Sequence, residues 1–243
     1  MKINEETCIG CEDCHAYCPV EAIETEEGDD GSISRIDQER CVECGVCLRA
    51  EVCPTDAVYM PELEWPRLVR EAFSNPKAEH RGSREMGRGT EVMKTNDVTG
   101  LFPHGVVGMA LELGRPGVAT SFTDVQTMAM ALASQGVTFA TQNPVTSLMV
   151  DPKTGELEPE ILDERALSAI IEFIIPEDRL GEILATVKQA SGKIDTVFAL
   201  DLIRKLDTSA VSEMLNTVQS SGFNHRPNNK TNIGLGRPLK TEE

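Results

Sequence analysis

The second half of the chain carries the clearest alternation of apolar and polar positions. Residues 106–113, VVGMALEL, place Val107, Met109, Leu111 and Leu113 on one face of a predicted strand. Arg115-Pro116-Gly117 then turns the chain. Thr123-Asp124-Val125-Gln126 has the form of a capping box, opening a helix with Val125, Met128, Ala129 and Leu132 on one face and a stop at Gly136. Residues 137–140 read as a strand and 147–150 as a further short one. The unit recurs: a buried strand over 169–175, then a helix opened by Pro176 and Glu177 with Leu180, Ile183, Leu184 and Val187 on one face. That helix ends at Gly192, residues 195–202 form a closing strand, and 202–218 read as a terminal helix. The order β-α-β-β-α-β predicts an α+β layer of helices on an antiparallel sheet.

The first 64 residues follow another logic. Their strands, predicted at 1–4, near 32–36 and at 58–60, are short, and apolar positions are sparse. All eight cysteines lie here, between Cys8 and Cys53, with none in the remaining 190 residues. The first run is Cys8-Ile-Gly-Cys11-Glu-Asp-Cys14-His-Ala-Tyr-Cys18-Pro19; the second is Cys41-Val-Glu-Cys44-Gly-Val-Cys47, then five residues to Cys53-Pro54. CPVEAI follows the first and CPTDAV the second, so the unit is duplicated. Zinc ribbons use two C-x2-C pairs per metal rather than two triplets each followed by Cys-Pro. The first run matches the C-x2-C-x2-C-x3-C-P pattern of bacterial two-cluster ferredoxins, which this region resembles.

That resemblance implies two [4Fe–4S] clusters with crossed ligation. Cys8, Cys11, Cys14 and Cys53 would hold cluster one, and Cys41, Cys44, Cys47 and Cys18 cluster two. Ile9, Val20, Ile23, Val42, Val46, Ala57 and Val58 would form an apolar shell that keeps water off the sulfides. Five residues, LRAEV, replace three before Cys53, which leaves a [3Fe–4S] form of cluster one open. His15, inside a cluster loop, reads as a packing or potential-tuning residue. So small and polar a domain is expected to fold around its clusters and not without them.

Charge sharpens the picture. The net charge is −17, and residues 1–64 hold 17 acidic against four basic side chains, a net of −13. Such a field repels nucleic acid and suits docking to a basic patch on a redox partner. No apolar run is long enough to span a membrane and no signal-peptide layout opens the chain, so a cytoplasmic location is expected. Between the two regions, Leu68, Val69, Ala72 and Phe73 line a short helix ended by Asn75-Pro76. Beyond it, Arg81, Arg84, Arg88 and Lys94 interleave with glycines. This stretch reads as an interdomain linker wrapping onto the acidic domain, with an anion or partner site as the alternative.

The expected organisation is therefore a dicluster ferredoxin domain over 1–64 and a basic Gly-rich linker over 65–104. A ferredoxin-like split β-α-β domain follows over 105–204, then a terminal helix and basic polar tail over 205–243. No nucleophile motif, phosphate loop or dinucleotide fingerprint occurs, so no self-contained catalytic site is assigned. MGRGTEVMKTNDVTG (86–100), ELGRPGV (112–118), QNPVTSLMVDPKTG (142–155) and IDTVFALDLI (194–203) resemble the N-terminal part of the 6-hydroxynicotinate reductase-like family. The resemblance implies an electron-input component whose flavin-associated counterpart is another polypeptide. The function expected is delivery of low-potential electrons to a redox partner protein or multi-subunit complex in an anaerobe. A self-contained flavin- or substrate-binding reductase, or a redox-dependent activation factor for a metalloenzyme, are the alternatives.

Overall fold

The structure is a computed structural model that describes residues 1–28, 31–81, 86, 101–114, 117–205 and 210–225. Arg84, Arg88 and Lys94, the Arg115-Pro116 step and the basic tail beyond His225 lie outside the described residues.

The N-terminal region is built on two ribbons. β1 (Lys2–Ile3) is paired antiparallel with β4 (Val58–Tyr59), and β2 (Ile23–Gly28) forms a hairpin with β3 (Gly31–Ile36). Between them stand a 3-10 turn over His15–Tyr17 and the short helix α1 (Val46–Arg49). β2 was not anticipated: Ile-Glu-Thr-Glu-Glu has little apolar content, and pairing with β3 makes it a strand. The buried apolar core is small, comprising Met1, Ala22, Ile23 and Val58 with the thiols Cys14, Cys41 and Cys47.

α2 (Leu68–Ser74) follows, in the stretch read as a linker, yet Val69, Ala72 and Phe73 belong to the larger core beyond it. That core is organised by a four-stranded antiparallel sheet in the order β12-β5-β11-β7. β5 is Val106–Leu113, β6 is Thr120–Ser121, α3 is Phe122–Ala133 and β7 is Thr138–Phe139. After two small hairpin partners, β8 (Met149–Asp151) and β9 (Glu156–Leu157), come β10 (Arg165–Ala166), β11 (Ala169–Pro176), α4 (Leu180–Ser191), β12 (Phe198–Ile203) and α5 (Ala210–Ser220).

Register explains the layering. Leu111 faces Ile171 on one side and Leu200 on the other, and Met109 faces Phe173 and Leu202. These residues point toward α3 and α4, where Val125, Met128, Leu132, Ile183, Leu184 and Val187 are buried in the same core. The opposite sheet face also closes, over Phe102, Ala110 and Ile170. It carries the buried carboxylates Glu112 and Glu172 too, and Asn143 Nδ2 donates to Glu172 at 3.0 Å. Residues 202–203, predicted to open the terminal helix, belong instead to β12, where Ile203 pairs with Gly108; α5 is described over Ala210–Ser220. No helix among the described residues is long and apolar enough to cross a membrane.

The capping box at Thr123 is not formed. Ser121 is the N-cap, accepting from Asp124 N at 3.0 Å, while Thr123 donates to Leu162 O and Gln126 accepts from Leu157 N. Pairing of β6 with β10 holds Ser121 extended, so the helix starts two residues earlier and Phe122 is fully buried. Phe122 meets Phe73 of α2 edge-on at 5.3 Å. Ser121→Ala is expected to lower the unfolding free energy by about 1 kcal/mol in urea titration, as for other N-cap losses.

Candidate metal centre

Each cysteine run is a tight loop whose backbone takes unusual turns. Gly10 and Glu43 hold matching positions and matching positive φ, 64° and 55°; so do Glu12 and Gly45, at 64° and 67°. Glu21 and Asp56, three residues past Cys18 and Cys53, form a third pair at 51° and 52°. The duplication seen in the sequence is thus carried into the backbone. Gly10 cannot be exchanged: a Cβ there would stand 2.2 Å from Ser32 O.

These turns gather the thiols into two sets. Cys8, Cys11, Cys14 and Cys53 line one cavity, together with Ile3, Ile9 and Val58. Cys18, Cys41, Cys44 and Cys47 line a second, with Met1, Val42 and Ile36. The five-residue interval before Cys53 is taken up by α1, by Ala50 and by Glu51 at a φ of 52°, which reverses the chain. Among the described residues no three metal-ligating side chains converge on a point that one ion could occupy. The thiols instead surround a space, which fits a group that brings its own iron and sulfide.

Hydrogen bonding to sulfur follows the same repeat. Ala22 N donates to Cys18 Sγ at 3.1 Å and Ala57 N to Cys53 Sγ at 3.2 Å, each from four residues on. Ser34 N adds a contact to Cys8 Sγ at 3.4 Å, and Ser34 Oγ meets His15 Nε2 at 3.0 Å. Burial pushes the Cys14 thiol up to about 11 and Cys47 up to about 12, and raises Cys44 as well. At Cys53 slight burial acts upward, but hydrogen bonds from Thr55, Ala57 and Val58 outweigh it and the thiol is lowered. Buried thiols of the first kind are neutral at pH 7 until a metal replaces the proton, so loading releases protons.

Some neighbours of the second set had no clear signal in the sequence. Glu43, fully buried, takes the place of Gly10 and pairs with the Met1 ammonium and with Arg67, at 2.6 Å. Arg70 of α2, only 4% exposed, donates to the carbonyls of Gln38, Glu39 and Cys41 at 2.9–3.1 Å and pairs with Glu164. Ser74 Oγ accepts from Leu167 N at 2.8 Å, and Trp65 Nε1 donates to Glu160 at 2.7 Å. α2 is therefore a bracket between the 38–41 loop and the larger sheet region. Of the basic residues assigned to an anion or partner site, Arg81 stacks over Trp65 at 5.0 Å; Arg84, Arg88 and Lys94 lie outside the described residues. Ile9, placed in the apolar shell from sequence, is 63% exposed.

Compared with known proteins, residues 1–60 match the family described as the 4Fe-4S dicluster domain. Through these residues the chain belongs to the 4Fe-4S dicluster ferredoxin family. Ferredoxin 7Fe of Hydrogenibacillus schlegelii is 39% identical over 71 residues, covering 27% of this chain and 82% of that protein. Pyruvate synthase subunit PorD of Thermotoga maritima is 41% identical over 64 residues, 26% of this chain and 60% of that protein. A subunit of the ion-translocating oxidoreductase complex of Methanosarcina acetivorans is 41% identical over 56 residues, 23% of this chain but 19% of that protein. The ferredoxin domain is thus the shared part, and the last two relatives are subunits of larger assemblies by name.

Proposed function

We propose that the chain is an electron-transfer component that delivers low-potential electrons to a partner oxidoreductase in the cytoplasm of an anaerobe. The observation that carries this reading is the pair of four-thiol cavities, each completed by a cysteine from the other run. Cys8, Cys11, Cys14 and Cys53 would hold one cluster, and Cys18, Cys41, Cys44 and Cys47 the other. Bound there, [4Fe–4S] clusters supply one-electron chemistry at low potential. The protein's own part is to exclude water, to donate amide hydrogens to sulfur, and to fix the spacing of the two sites.

The strand order β12-β5-β11-β7, with α3 and α4 as the connections, supports a β-α-β-β-α-β ferredoxin-like sandwich over 105–204. The proposed division keeps the ferredoxin domain at 1–64, the linker at 65–104 and the terminal helix and tail at 205–243. The names of the relatives from pyruvate synthase and from an ion-translocating complex support a multi-subunit partner. The resemblance to the 6-hydroxynicotinate reductase-like family points the same way. Anaerobic purification with iron, sulfide and flavin analysis tests the reading. About eight irons per chain and no flavin are expected, with a recurrent co-eluting oxidoreductase; about seven irons would mean a three-iron group at Cys8, Cys11 and Cys14. A stoichiometric flavin without a partner would overturn the reading in favour of a self-contained reductase.

A further inference from the structure

The duplicated motif contains its own control. Ile9 and Val42 occupy the same position, directly after the first cysteine of each run. Val42 is 1% exposed and packs with Cys44 against Ala119 and Leu167 of the larger domain. Ile9 is 63% exposed. The thiols follow in part: of one set Cys41, Cys44 and Cys47 are buried and Cys18 is half-buried, whereas of the other Cys14 is buried, Cys8 and Cys53 are half-buried and Cys11 is exposed. One of two equivalent faces is already occupied from within the chain; its twin is open among the described residues.

The open face has a definite chemistry. Ile9 stands at the mouth of the Cys8/Cys11/Cys14/Cys53 cavity beside Glu12. Glu6, Glu12 and Asp13, close to it in sequence, are exposed, while Glu5 and Arg35 form an exposed pair at 2.8 Å. Glu12 is itself held by Thr25 Oγ1 at 2.7 Å, so its carboxylate is fixed rather than free to turn away. An apolar centre inside an acidic rim, next to a redox site, combines a water-excluding contact with charge steering.

We propose that this face, centred on Ile9, Cys11 and Glu12, docks a redox protein that presents a basic rim around the exposed edge of its own cofactor. Electrons then leave the chain past the Cys8/Cys11/Cys14/Cys53 set. The other set is covered by the larger domain on its Val42/Cys44 side and does not meet the partner there. The inference rests on the electron-transfer reading above, but it can fail separately.

Basic, haem-exposing cytochrome c is the probe, with the iron-loaded full chain. In the kinetic experiment the chain is reduced with dithionite and freed of excess; one electron then passes to a ferric haem, which becomes ferrous. At about 10 mM ionic strength, Ile9→Lys and Glu12→Lys are each expected to slow this second-order step about fivefold, and the difference should fade near 0.5 M salt. Calorimetric titration of the oxidised chain with ferric cytochrome c moves no electron and should show a similar fold-loss of affinity. Because both variants lie beside ligands, Glu6→Lys with Asp13→Lys serves as a second test wherever their iron content falls. Glu213→Lys, the same charge change on exposed α5, should alter neither readout. Equal slowing by Glu213→Lys, or none by the variants at the open face, overturns the docking face and leaves the electron-transfer reading standing. Binding at this face without electron transfer does the reverse.

Discussion

Cys53→Ala is expected to abolish the site built from Cys8, Cys11 and Cys14 while sparing the site of the run next to it in sequence. Iron should fall from about eight to about four per chain, and the EPR signal of the remaining reduced cluster should be that lost in Cys18→Ala. The argument is geometric. Cys53 shares its cavity with Cys8, Cys11 and Cys14, not with Cys41, Cys44 and Cys47. Its sulfur is fixed there by Ala57 N at 3.2 Å, and Glu51, at a φ of 52°, turns the chain out of α1 toward it. The longer interval before Cys53 therefore changes how the chain arrives and not where the thiol ends. If Cys53→Ala and Cys18→Ala each removed the signal of their own run, the crossed arrangement would be wrong. Retention of about seven irons in Cys53→Ala would instead show that three thiols suffice for a three-iron group there.

What the sequence disclosed and what it hid divide along physical lines. Long periodic segments were legible because burial imposes their spacing: Val107, Met109, Leu111 and Leu113 on β5, and Leu180, Ile183, Leu184 and Val187 on α4, are buried as predicted. The cysteine spacing was legible because few chemistries need it. Features set by partners distant in sequence were not. β2 is a strand because of β3, Ser121 is the cap because β10 pairs with β6, and α2 is buried because Phe73 meets Phe122. Arg70 looks like an ordinary helix cation, yet it is buried against three carbonyls of a ligand loop. Glu43 had one weak signal: a long acidic side chain standing where the other copy has Gly10. The contrast between Ile9 and Val42 could not be read at all, since both residues are apolar and only the position of the larger domain separates them.

Removing iron is expected to unfold the ferredoxin domain and to leave the sheet domain folded. The N-terminal core holds seven buried residues, three of them thiols, around two-stranded ribbons of which one is two residues long per strand. Emptied, the two thiol-lined pockets would lose the groups their walls pack against, or would flood. A core of this size supplies no more than about 3–5 kcal/mol in total, so neither outcome is sustainable. The larger domain has no such dependence, because β5, β11, α3 and α4 bury one another with no thiol among them. Arg70 decides what happens at the boundary. With the 38–41 loop melted it would lose its carbonyl partners but keep Glu164, a change that water can compensate once the loop has left. Hydrogen exchange of the chelated protein should therefore show amides of 1–64 exchanging as an open chain, with those of Leu111 and Ile171 still protected. Protection persisting in both ribbons would mean that the protein alone supplies the N-terminal core. Loss of protection throughout would mean that the contacts of Arg70, Trp65 and Ser74 make the two domains one cooperative unit, with iron as its common support.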